Sequence, residues 1–463
     1  MLRLAFLTHR WAGIVACLLF VMWFASGLVM LYVPYPSLGP AQGWAAAEAI
    51  DWARVRYTPE AGARRITLEM RDGAPVWRIE RAEGDTQILS AATGGPVAPV
   101  DAALAHRVAA RFGPVGEVAP IHDDQWTVAG GFDRHRPLWK ATLADADGTQ
   151  LYISSLTGQP VQRTTVTQRV WNWLGSVPHW IYPTVLRRDR QAWRQAVIWV
   201  AGPCIAVALT GMWIGILRMR PGRRRYRGRR MTPYHGWMLW HHVSGLLGGV
   251  MLTSWIVSGW LSVDPGHAFA GGEAPAALLR AYEGRAGGPQ ALDRLARIAR
   301  AARTVEWSGD GSLQRIALDR SSPHPRWLDA ATLVPVGPVD PVRAAMLVPD
   351  GRRGAAETLE DPDFYWTDAT PLPLVRLRFD DPARTWLYVD PMSGALVERQ
   401  DRVRRAYRWV YTLLHTWDWP LLTAHRPVWL SWMWAWSLAG LALSVSGVVV
   451  GWRRLRRSAR GKR

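Results

Sequence analysis

Cysteine is nearly absent from this 463-residue chain: Cys17 and Cys204 are the only two, and both fall inside apolar runs, at different estimated depths. Neither a disulfide framework nor a thiolate metal site is indicated. There is no CxxCH, which argues against covalently attached c-type haem. Nor is there a GxSxG or Ser/His/Asp nucleophile arrangement, or a GxGxxG following a strand. Acyl transfer and dinucleotide chemistry therefore have no visible seat. Charge is missing as well, from four stretches that hold no Asp, Glu, Lys or Arg: Trp11 to Ala47, Ala196 to Leu217, Met231 to Val263 and Pro427 to Trp452. Each contains the roughly 20 mostly apolar residues that a helix needs to cross a bilayer. With 49% apolar and 20% charged residues, disorder is excluded. Four transmembrane helices are predicted. The first run is longer than the hydrophobic part of a signal peptide and reads as a retained anchor.

The formal charge of +19 invites a nucleic-acid reading until the charges are placed. Arg218, Arg220, Arg223, Arg224, Arg225, Arg227, Arg229 and Arg230 crowd the segment between the second and third spans. Arg453, Arg454, Arg456, Arg457, Arg460, Lys462 and Arg463 follow the fourth. Basic clusters beside apolar spans set orientation and meet anionic lipid, so no nucleic acid is expected and both clusters are placed in the cytoplasm. The expected organisation is a cytoplasmic N-terminus and first span (1–33), an outer domain with interfacial segment (34–194), a second span (195–217) and a basic loop (218–236). A third span (237–263), a second outer domain (264–426), a fourth span (427–452) and a basic tail (453–463) complete it. The 29 Trp, among them Trp171, Trp173, Trp180, Trp193, Trp417, Trp419 and Trp429, gather near the span ends, where amphipathic indoles settle at headgroup level.

The two halves repeat. An offset of 232 aligns His9 with His241, Gly13 with Gly245, Trp23 with Trp255 and Ser26-Gly27 with Ser258-Gly259. An offset of 236 aligns Trp173 with Trp409, His179 with His415, Trp193 with Trp429, Gly211 with Gly447 and Gly215 with Gly451. A duplicated unit of span, outer domain and span, in one orientation, predicts a 2+2 bundle with a pseudo-twofold axis along the membrane normal. Matched residues are expected to face one another across it. The outer segments carry turn motifs at Ser90 to Val97, Ser154 to Val161 and Asp390 to Val397, with a degraded copy at Asp329 to Val336. Asp or Ser opens such a turn and Gly closes it at positive φ. Alternation in Val76-Trp77-Arg78-Ile79 and from Leu374 to Phe379 predicts half-buried antiparallel strands. Helices are expected at Ala102 to Phe112 and Leu292 to Arg303. Two outer α+β domains of about two sheet-and-helix units each result.

The chain resembles the PepSY-associated transmembrane family over nearly its whole length. The resemblance rests on His9-Arg10-Trp11-Ala12-Gly13, Trp240-His241-His242-Val243-Ser244-Gly245, Val177-Pro178-His179-Trp180 and Leu414-His415-Thr416-Trp417-Asp418-Trp419-Pro420, together with the Asp-x-x-Thr-Gly-x-Val-like turns. It implies a bacterial inner-membrane protein with periplasmic PepSY-like domains. Some members of the family are haem-b reductases of ferric siderophores.

The residues alone point the same way. Neutral imidazole ligates iron well, is costly inside a membrane without a partner, and in facing pairs fills both axial positions of one haem. His9 with His241 near the cytoplasmic ends of their spans, and His179 with His415 beyond the periplasmic ends, are the candidate ligands of two non-covalent b haems. His242, His425 and His235 are the alternates. His122-Asp123-Asp124 and Asp133-Arg134-His135 form a weaker metal candidate. Arg187, Arg188 and Arg190, with Arg402, Arg404, Arg405 and Arg408, suit lipid headgroups or an anionic chelate. Taken with the resemblance, which implies the substrate class, the expected activity is reduction of a periplasmic ferric chelate for iron acquisition, with electrons from quinol or an unidentified protein donor. The competing class is a non-enzymatic protein whose outer domains bind peptide or an envelope protein. A transporter fits poorly, since the spans lack charged residues for a coupling site.

Overall fold

The computed structural model describes residues 2–81, 84–222, 225–309, 314–367 and 372–460. Arg223, Arg224, Lys462 and Arg463 of the basic clusters lie outside the described residues. Two compact units are formed, one from Met1–Tyr35, Thr167–Ala270 and Arg404–Arg463, the other from Pro36–Val166 and Gly271–Val403.

The first unit is built on four helices long and apolar enough to cross a membrane: Leu2–Met30, Arg190–Leu217, Trp237–Leu261 and Arg426–Arg460, here the first to fourth spans. The second begins ahead of the expected residue 195 because Asp189 caps it, accepting from the backbone N–H groups of Gln191 and Ala192 at 2.8 and 2.9 Å. The fourth runs past residue 452 to Arg460. No breaker interrupts it, and basic side chains suit a helix C-terminus. The spans close a ring in which first and third each pack against second and fourth. Glycine permits the close approach: a Cβ on Gly440 would strike the Phe24 ring, one on Gly447 the Cys17 sulfur, and one on Gly249 would lie 3.0 Å from Met212. Phe20, Phe24, Val207, Leu252, Ile256 and Leu443 fill the centre. Cys17 and Cys204 are both buried free thiols, Cys204 within this core.

Among the described residues the second unit carries fourteen strands: β1 (Arg65–Arg71), β2 (Ala74–Glu80), β3 (Thr86–Ser90), β4 (Val115–Ile121), β5 (Leu138–Leu143), β6 (Gln150–Ser154) and β7 (Pro160–Thr164) from the first outer segment, and β8 (Thr304–Gly309), β9 (Gln314–Leu318), β10 (Arg326–Asp329), β11 (Arg352–Leu359), β12 (Leu374–Asp380), β13 (Trp386–Val389) and β14 (Leu396–Gln400) from the second. Each segment holds two strand groups, but the segments are not self-contained domains. β1 pairs antiparallel with β8, with Ile66 opposite Trp307, to join both segments in one six-stranded sheet of order β10-β9-β8-β1-β2-β3. Its core includes Ile66, Leu68, Trp77 and Trp307, with Leu295 and Ala299 packed on it. The sheets β4-β5-β6-β7 and β11-β12-β13-β14 have separate cores.

The expected alternation holds toward the end of β12, where Arg378 and Asp380 are exposed beside buried Leu377 and Phe379, but the start of the strand is buried on both faces. Arg376 is buried and held by Asp363 at 2.6 Å, with its Nε donating to the Tyr388 hydroxyl at 3.1 Å. The helices are shorter than expected, Ala102–Ala110 and Leu292–Ile298. All four predicted turns share one bond pattern, in which the N–H of the fifth residue donates to the carbonyl of the first, as Gly94 to Ser90 and Leu333 to Asp329 at 2.8 and 2.9 Å. Gly94 adopts φ +79°, and the degraded copy forces Leu333 to φ +58°, at a cost of roughly 1 kcal/mol for a residue with a Cβ. Two turns close full hairpins, β6–β7 and β13–β14. The other two end in single bridges, Leu89 to Pro96 and Leu328 to Pro335.

Candidate functional site

Four imidazoles meet in two pairs inside the helical unit. The His9 and His241 ring centres are 6.2 Å apart, and those of His179 and His415 are 6.1 Å apart. A ligating imidazole nitrogen sits about 2 Å from its metal, and the ring centre about 1 Å further back, so two imidazoles on opposite sides of one ion have centres about 6 Å apart. Both pairs have that separation.

The hydrogen bonds show which nitrogen is available. His9 Nδ1 lies 3.0 Å from the Val207 carbonyl of the second span, and His241 Nδ1 lies 3.3 Å from the Leu443 carbonyl of the fourth. A carbonyl only accepts, so Nδ1 carries the proton. His179 Nδ1 meets the Ser26 hydroxyl at 3.1 Å and the Trp23 carbonyl at 3.2 Å. His415 Nδ1 meets the Ser258 hydroxyl at 3.0 Å. Ser26 donates to the Met22 carbonyl at 2.6 Å and Ser258 to the Trp255 carbonyl at 3.1 Å, so each hydroxyl oxygen accepts from imidazole. In all four rings Nδ1 is the bonded donor and Nε2 keeps its lone pair. This is the tautomer a metal-ligating histidine needs, with the ring oriented by the acceptor its Nδ1–H meets.

Glycine backs every ring. An added Cβ would lie 2.5 Å from His9 Cε1 at Gly211, 3.2 Å from His241 Cε1 at Gly447, 3.3 Å from His179 Cε1 at Gly27 and 3.4 Å from His415 Cε1 at Gly259. The indoles of Trp23 and Trp255 donate to the carbonyls of His179 and His415 at 3.0 and 2.9 Å, fixing the short helices Ser176–His179 and Leu414–Thr416 against the first and third spans. Outside the spans, burial pushes the His179 imidazole down to about 3, with His415 adding to the effect, and the His415 imidazole down to about 4. Both are neutral at physiological pH, the ligating form.

The approaches to His179 and His415, here called the outer pair as His9 and His241 are called the inner pair, differ in build. Helix Val166–Leu174 breaks at Gly175, where a Cβ would come within 2.9 Å of Val29. The chain before His415 instead winds a π-turn over Arg408–Leu413, a rare geometry frequent at functional sites. The outer pair lines a cavity of about 740 Å³ walled mainly by aromatic and aliphatic side chains, among them Phe20, Phe24, Trp23 and Trp255. That volume falls within the range of small-molecule and cofactor sites.

The remaining candidates lie elsewhere. His242 points away from His9; it is buried against Tyr234, with ring centres 5.1 Å apart and Nε2 unpartnered. His425 is exposed, and exposed His235 bonds Arg230. His122 pairs with Asp123 at 2.9 Å, Asp124 is occupied by Lys140 and Tyr152 at 3.0 and 2.7 Å, and Asp133 bonds Arg136 at 2.9 Å. Among the described residues no group of three or more His, Cys, Asp or Glu is placed to hold a metal ion. Reading the sequence missed the roles of Ser26 and Ser258, although the same offset that pairs the histidines aligns them. Compared with known family models and curated proteins, the chain matches none.

Proposed function

We propose that the chain is a two-haem membrane electron-transfer protein of the PepSY-associated type, a ferric-chelate reductase anchored in the bacterial inner membrane. One observation carries this reading: two histidine pairs, each with ring centres about 6 Å apart and each ring bonded through Nδ1. His9 and His241 would hold one b haem and His179 and His415 the other. When bound, haem supplies one-electron transfer, here toward a ferric chelate on the outer side with quinol or a separate protein as donor. The chain's own residues do the rest. Ser26, Ser258 and the Val207 and Leu443 carbonyls set the tautomer, the glycines leave room for the rings, and the apolar side chains exclude water. About 25 Å of first-span helix separates His9 from Ser26, at about 1.5 Å per residue, so the two sites serve opposite ends of the span.

Duplication is supported by equivalence of detail: Val207 and Leu443, Trp23 and Trp255, and Ser26 and Ser258 make the same bonds in each half at the offsets that align the histidines. The basic loop and tail favour cytoplasmic termini and periplasmic sheets. Reading the spans as mere anchors for a peptide-binding exterior assigns no task to two pairs of facing imidazoles. The test is a visible spectrum of the detergent-solubilised protein, oxidised and then reduced by dithionite. A reducible low-spin b-type spectrum with two haems per chain is expected; fully assembled but colourless protein overturns the proposal.

A further inference from the structure

The cavity beside His179 and His415 has one charged residue among those that line it, Arg187. Its guanidinium lies over two rings, 5.2 Å from the centre of Tyr182 and 4.9 Å from that of Trp193, at the end of the short helix Thr184–Arg187. Cation–π contacts on two rings fix the group in place. Its Nε is buried without a hydrogen-bond partner, and no carboxylate among the described residues lies within ion-pair reach. A cation held rigidly on an apolar wall, with a donor left over, is favoured by an anionic occupant, and the planar guanidinium fork matches a carboxylate. The repeat is asymmetric here. Under the offset that aligns His179 with His415, Thr423 replaces Arg187, so duplication alone does not explain the arginine.

We infer that Arg187 is the carboxylate-recognition residue of this cavity and that it takes a propionate of the porphyrin held by His179 and His415. The inference rests on the proposed haem reading and adds a specificity: the occupant is a flat apolar ring system bearing an acidic edge.

The test compares iron protoporphyrin IX with its dimethyl ester, which keeps the iron and the ring but lacks the acid groups. Full-length protein produced under haem limitation is titrated with each in detergent, and binding is followed by the low-spin absorption bands. A His9→Ala, His241→Ala variant isolates the outer pair. We expect the free acid to bind about tenfold tighter than the ester at that pair, the order of one charge-assisted contact. Arg187→Met should bring the acid down to the affinity of the ester, and Arg187→Lys should keep part of the preference. The comparison of acid with ester in unmodified protein needs no variant to fold. Equal affinities there, or a preference that survives Arg187→Met, overturn the inference while leaving the haem reading intact. Equal affinities together with loss of co-purified anionic phospholipid from Arg187→Met would assign the arginine to a lipid phosphate instead. Failure of wild-type protein to bind either porphyrin in a low-spin form overturns both.

Discussion

The inner and outer histidine pairs reach the same separation by different means. His9 and His241 are residues of the spans themselves, and their Nδ1 atoms bond main-chain carbonyls of the neighbouring spans. Those acceptors belong to helix backbones and move only if a whole helix moves. His179 and His415 ride on short helices beyond the spans, and serine side chains of the first and third spans hold them. The inner pair is thus positioned by bundle packing, which glycines on the second and fourth spans make possible. The outer pair is positioned by local clips beside a cavity of about 740 Å³. The contrast teaches that one metal-ready spacing tolerates two levels of rigidity.

Four predictions would break or sharpen that comparison, beginning with the largest effect. On the proposed two-haem reading, replacing His9 or His241 by Ala should remove one of two haems per chain and leave the other spectrum intact. His179→Ala or His415→Ala removes the complementary one, as measured by haem content and difference spectra. Loss of both from a single substitution would mean the pairs are not separate sites. Next, Gly211→Ala drives a Cβ against His9 Cε1 at 2.5 Å and should weaken the inner site about 30-fold, consistent with roughly 2 kcal/mol of overpacking. Gly27→Ala, where the approach to His179 is 3.3 Å, should cost about threefold or less at the outer site, where the clipped helix can give. Equal losses in haem titration would erase the distinction.

Smaller still are the serine effects. Ser258→Ala removes the hydroxyl that orients His415 and should weaken outer-site binding about tenfold. Ser26→Ala should act in the same way on His179, since each imidazole also faces a main-chain carbonyl, that of Trp23 for His179 and that of Trp255 for His415. Neither should alter the inner spectrum. Last, His242→Ala should leave haem content and both spectra unchanged, since its ring packs on Tyr234 and not on His9; a lost inner haem would reverse the choice between His241 and His242.

The histidine pairs were legible because each half repeats its polar residues at nearly one offset, and an imidazole at a span end stands out against an apolar background. The choice between His241 and His242 was not legible, for neighbouring helical residues differ only in direction, which packing decides. The π-turn before His415 leaves no mark in composition, and Gly175 in the first half gives no hint that Arg408–Leu413 solves the same bend differently. The four spans were readable from missing charge, their ends less so, because Asp189 and the basic tail extend helices beyond the apolar run. In the outer unit the turns were legible from Ser, Asp, Thr and Gly. The pairing of β1 with β8 was not, since a strand edge carries no label for a partner so distant in the chain.

That shared sheet bears on how the molecule is made. While the first half is complete and the second is still being synthesised, β1 offers an unpaired row of main-chain donors and acceptors, and Trp77 lacks the Trp307 ring that lies 5.4 Å from it in the finished protein. An open apolar edge of this kind invites adhesion to other nascent chains. The first half alone leaves that edge open, and only the second half can close it.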